Sequence, residues 1–125
     1  MKTIKYVIFL GLLTCQLQGE ENNMIQTHHT VVAIVEAKPG KEEALKQALA
    51  QVVAPSRAEP ACIEYRLHQD ATNPAVFILY ENWKSKELHA QQFQKPYIIE
   101  LAQKLGDLLA KPYQGFFADE IEKQN

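Results

Sequence analysis

The sequence predicts an α+β chain with the ferredoxin-like order β-α-β-β-α-β, an antiparallel sheet with its helices on one face. Three observations carry this prediction. Three runs rich in β-branched and aromatic residues are spaced along the chain. Two stretches between and after them repeat apolar residues at helical spacing. Glycine and proline punctuate the junctions, as turns require.

Taken in order, Thr30 to Ala37 is the first strand, with Val31, Ala33 and Val35 on one face and Val32 and Ile34 on the other. Pro39-Gly40 breaks it. A helix is expected from about Lys41 to Val53, since Leu45, Ala48, Leu49, Val52 and Val53 form one stripe. Glu42 and Glu43 fall in its first turn, where the helix dipole favours negative charge. Pro55 and Pro60 then bound a connection. Cys62 to Gln69 alternates Ile63, Tyr65 and Leu67 against Glu64, Arg66 and His68, which marks a half-exposed strand. Asp70 to Pro74 supplies a turn, and Ala75 to Trp83 is a third strand. A helical region follows from Ser85 to Leu109, interrupted by Pro96. Its second part carries Ile98, Leu101, Ala102, Leu105, Leu108 and Leu109 at helical spacing. Tyr113 to Ile121 closes the domain as a fourth strand.

Two helices can cover only one face of such a sheet, yet the first and third strands are apolar on both. An uncovered apolar face of several hundred Å² is unusual on a soluble monomer, so a homodimer packed sheet against sheet is expected.

The composition narrows the function classes. With 46% hydrophobic and 22% charged residues, 125 residues make one globular domain. A net charge of −2 offers no basic footprint, so no nucleic-acid partner is expected. Two cysteines exclude a disulfide-stapled miniprotein. The N-terminus differs from the rest: Lys2 and Lys5 precede an apolar run from Tyr6 to Leu13 broken only by Gly11. That is too short to span a bilayer but fits the core of a signal peptide, read here as residues 1–19. Leu12-Leu13-Thr14-Cys15 resembles a lipobox, which makes Cys15 the lipidation candidate; ordinary cleavage near Gly19 is the other route. The reading is then an exported chain, periplasmic or lipid-anchored through Cys15. A polar tether at 20–29 leads to the domain at 30–121 and a short tail at 122–125.

Five short motifs fall in register along that domain: Lys38-Pro39-Gly40-Lys41, Glu59-Pro60-Ala61-Cys62, Tyr65, Glu81-Asn82-Trp83 and Lys95-Pro96-Tyr97. Together they resemble the antibiotic biosynthesis monooxygenase domain, whose members include quinol monooxygenases and form dimeric α+β barrels. The resemblance implies cofactor-independent oxygenation of a small aromatic molecule, a quinol or related phenol. Such chemistry needs a dry aromatic pocket, a proton acceptor and hydrogen bonds to the developing oxyanion. The catalytic candidates are Trp83 as pocket wall and Glu81 and His68 as bases. Tyr65, Tyr80, Gln92, Phe93 and Tyr97 are the substrate-binding candidates.

The sequence also departs from the family pattern. Gln92 and Tyr97 stand where members often carry histidines, and His89 lies three residues before Gln92. Trp83-Lys84-Ser85-Lys86 is similar to the haem-degrading branch. No asparagine falls between His29 and Lys38, so haem cleavage is not expected, while His89 leaves haem binding open. No metal or cofactor is expected, and the adjacent His28 and His29 read as a solvated pair. Cys62 reads as a small strand hydrophobe. Two further functions stay open on the same fold: a non-catalytic ligand-binding module of the envelope, and an isomerase.

Overall fold

The computed structural model describes residues 28–121. The expected leader, Cys15, the tether up to residue 27 and the tail 122–125 lie outside the described residues. The elements run β1 (His29–Glu36), α1 (Glu42–Ala50), α2 (Val53–Ala58), β2 (Cys62–Gln69), β3 (Val76–Trp83), α3 (Lys86–Gln92), α4 (Pro96–Leu108) and β4 (Gln114–Asp119). The strands form one four-stranded sheet in the order β2-β3-β1-β4, with every neighbouring pair antiparallel. This is the ferredoxin-like arrangement the sequence predicts.

Two boundaries differ from the sequence reading. β1 starts at His29, which pairs with Trp83 and Asp119 across the sheet, so His29 belongs to the domain rather than to a tether. The helix expected over 41–53 stops at Ala50, where Pro55 has no N–H to offer the carbonyl of Gln51, and a second helix occupies most of the stretch expected as a connection. The chain bends at Gln51-Val52 and resumes as α2. That bend brings in Ser56, fully buried, whose hydroxyl donates to the Val52 carbonyl at 2.6 Å.

Local chemistry explains the other junctions. Gly40 takes φ +81, a left-handed turn that glycine adopts without strain, and feeds α1. The Asp70 carboxylate accepts from the backbone N–H groups of Thr72 (2.8 Å) and Asn73 (3.2 Å), which fixes the β2–β3 turn. These bonds hold its carboxyl below the usual carboxylate range. Ser85 caps α3 by accepting from the Leu88 N–H at 3.1 Å. Pro96 sits in the first turn of α4, where its missing N–H costs nothing.

The helices lie over the face that carries Val31, Val35, Tyr65, Phe77, Leu79, Glu81 and Trp83, all buried. Around these residues the core closes with Leu45, Leu49 and Val52 from α1 and its bend. The opposite face carries Val32, Ile34, Val76, Ile78 and Tyr80, each only partly buried. Beside them runs a polar strip in which Thr30 donates to Asn82 at 2.6 Å and Asn82 donates to Glu64 at 3.1 Å. No described helix is long and apolar enough to cross a membrane.

Candidate active site

α4 is the least buried of the helices, and none of its residues is fully covered. Its apolar stripe packs only partly against the core and leaves a gap between helix and sheet. Ile98, Leu101, Ala102 and Leu105 line a cavity of about 210 Å³, closed on the sheet side by Val31, Ala33, Val35 and Leu79. β4 supplies Gly115 and Phe117 as a further wall. The polar end of the cavity is small and consists of Glu81, His89, Gln92 and the Tyr65 ring.

Glu81 stands at the centre of that end. β3 alternates its side chains, which sends Glu81 inward between two apolar neighbours, and only 5% of its surface is exposed. Its carboxyl accepts from the Trp83 indole N–H at 2.8 Å. Burial pushes the Glu81 pKa up to about 7, and the indole bond opposes that rise without cancelling it. A carboxyl poised near neutrality can hold or accept a proton at working pH.

His89 reaches the same spot from α3, with its Nε2 3.5 Å from the Glu81 carboxyl. Burial drives its pKa down to about 4, with His29 alongside adding to the effect. The imidazole is therefore neutral at pH 7, and its contact with Glu81 is no ion pair. His29, Trp83 and Phe93 surround it, with ring centroids 5.1 to 5.2 Å away. The Nε2 of His29 is buried without a hydrogen-bond partner among the described residues.

The structure sorts the candidates from the sequence. It brings Glu81, Tyr65, Gln92 and Phe93 to the cavity. Trp83 is not a wall of this cavity; its ring is buried behind Glu81 and holds the carboxyl in place. It borders a second cleft instead, together with Lys84, Leu88, Gln92 and Lys95. Tyr97 stands back from the cavity and reaches it only through a hydrogen bond with Gln92. His68 and Tyr80 are on the wrong side. His68 is exposed and pairs with Ile78, and Tyr80 pairs with Val32, both on the open face of the sheet. Neither can touch a molecule beside Glu81. Three contributors were not among the candidates: His89, His29 and Ser56. Among the described residues no cluster of His, Cys, Asp and Glu is arranged to hold a metal ion.

Comparison with known proteins follows the same lines. The family model described as antibiotic biosynthesis monooxygenase matches residues 28–104. An uncharacterized protein of Synechocystis sp. is 37% identical over 82 residues, 66% of this chain. The matched stretch spans only 56% of that relative's length. A Mycobacterium tuberculosis protein provisionally named a monooxygenase is 27% identical over 82 residues, 66% of this chain and 80% of its own. A crystal structure from Pseudomonas aeruginosa superposes with a TM-score of 0.74 at 29% identity, covering 77% of this chain and 96% of that one.

Proposed function

The chain belongs to the antibiotic biosynthesis monooxygenase family, and from that premise we propose that it oxygenates a quinol or related phenol without a bound cofactor. One observation carries the proposal. A buried carboxyl with a pKa near 7 stands at the small polar end of a mostly apolar cavity of a size suited to an aromatic ring. In its ionised form Glu81 accepts the phenolic proton of a ring held against Leu79 and Leu101. The anion that remains is electron-rich enough to pass electrons to dioxygen. With a hydroquinone the balance closes without an added reductant: one ring C–H becomes C–OH, the diol becomes a quinone, and the second oxygen atom leaves as water. The apolar walls keep bulk water out while this happens, and neutral His89 is placed to share the proton.

Oxygen consumption with a panel of hydroquinones, using chelator-treated protein, tests the reading. The expected result is one dioxygen taken up per substrate, with a product heavier by one oxygen and lighter by two hydrogens. Binding without uptake would leave a non-catalytic binding module, and a product of unchanged mass would point to an isomerase.

The same proposal includes a homodimer. Val32, Ile34, Val76 and Ile78 form a partly exposed apolar strip on the face the helices leave bare, and a second copy of that strip is its natural cover. The domain should sediment as a dimer at micromolar concentration. Ile78→Lys should yield monomer or insoluble protein, because an unpaired charge buried in that seam costs several kcal/mol. A wild-type monomer at every accessible concentration would remove the dimer.

A further inference from the structure

The Gln92 side chain is 4% exposed, lies between the cavity and the second cleft and lines both, and sits in a network whose hydrogen-bond directions are all forced. The Ser56 hydroxyl spends its only proton on the Val52 carbonyl at 2.6 Å. Toward Gln92, 2.9 Å away, it can therefore only accept. The Tyr97 hydroxyl donates its proton to the Glu59 carboxylate at 3.1 Å, and Lys95 lies 3.5 Å from the other carboxylate oxygen. Toward Gln92, 3.3 Å away, Tyr97 also accepts. Both neighbours thus require N–H donors, which fixes the amide orientation by chemistry and uses both Nε2 protons. The carbonyl oxygen of Gln92 is left with no partner among the described residues.

We propose that Gln92 presents this oxygen to the cavity as a fixed hydrogen-bond acceptor. The site therefore selects aromatic ligands that carry a hydroxyl over their ether or keto counterparts. Ser56, Tyr97 and Glu59 are positioning residues: they touch no ligand but prevent the amide from turning its donors inward. An ether or a quinone offers only acceptors, so its oxygen would meet the Gln92 oxygen unpaired, a mismatch that binding sites reject. A reduced aromatic diol would be held and its oxidised product released.

The inference rests on the cavity being the ligand site, as proposed above, but not on turnover, and anaerobic binding tests it apart from catalysis. The probes are β-naphthol and its methyl ether, followed by quenching of Trp83 fluorescence at a pH midway between the pKa values of His89 and Glu81. There Glu81 is protonated and His89 neutral. The wild type should prefer the naphthol about tenfold. Gln92→Met, of similar length and without the oxygen, should lower that preference about fivefold or more while ether binding holds. Tyr97→Phe and Ser56→Ala should each lower it about threefold, because the freed amide can rotate. A preference unchanged in a folded Gln92→Met overturns the proposal, as does a wild type without preference. Should Gln92→Met fail to fold, the single-atom deletion Tyr97→Phe decides by the same ratio. Loss of preference in Gln92→Met with no oxygen uptake in the wild type retires the oxygenase and keeps the acceptor. Uptake with an unchanged preference does the reverse.

Discussion

Glu81→Gln is expected to lower the oxygenation rate by about 10²–10⁴-fold while leaving the fold intact. The carboxamide has nearly the same shape, and its oxygen can still accept from the Trp83 indole at the position the carboxyl now holds. What disappears is the one buried carboxyl that the described residues bring to the cavity. The wild-type rate should rise with pH through about 7 as Glu81 ionises, and the variant should lose that rise. Trp83→Phe probes the same group from the other side. It keeps a ring in the core but removes the N–H that opposes the effect of burial, so the rise in rate should move to higher pH. His68→Gln is the control, since His68 is exposed on the far face of the sheet and should change nothing. Steady-state rates across pH, with thermal midpoints alongside, give the result. A Glu81→Gln enzyme with wild-type rate would remove Glu81 as the base.

The order of strands and helices was legible because alternation and helical stripes are local signals. The cavity was not, for a reason visible in α4. Ile98, Leu101 and Leu105 look the same in sequence whether they pack fully on the sheet or leave a void, and here they pack only in part and leave one. Some placements were readable and were overlooked. Tyr80 and Glu81 are adjacent on one strand and so point to opposite faces; the same parity separates His68 from Tyr65 on β2. Those two rules alone exclude Tyr80 and His68 from a site built around Glu81 and Tyr65. His29 was misread because a polar dipeptide ahead of a strand looks like linker, and only pairing with Trp83 shows that the strand has begun. Ser56 gave no signal at all. Its role depends on a bend at Pro55 and on Gln92, 36 residues away.

The pH dependence of stability should be nearly flat between about pH 4.5 and 6.5 in the wild type and steep in two single variants, with opposite signs. Glu81 has a raised pKa in the fold, so its contribution is full below the unfolded value of 4.5 and is lost as pH rises through about 7. His89 has a depressed one, so its contribution is full above 6.5 and is lost as pH falls through about 4. Between 4.5 and 6.5 the folded state holds the Glu81 proton that the unfolded chain has released. It lacks the His89 proton that the unfolded chain has bound. The two slopes therefore cancel. Each shift is set chiefly by burial and not by the other group, so removing one leaves the other standing. The groups around them are His29 from β1, Tyr65 from β2 and Trp83 from β3. Glu81→Gln should thus gain stability as pH rises from about 4 to 6.5. His89→Gln should lose it from about 4.5 to 7. Each slope should reach up to about 1 kcal/mol per pH unit, somewhat below the limit for one fully linked proton. Urea midpoints for the three proteins at a series of pH values give the slopes directly. Parallel curves would mean that the carboxyl and the imidazole ionise in the fold as they do in water, and the poised carboxyl on which the proposed chemistry depends would be gone with them.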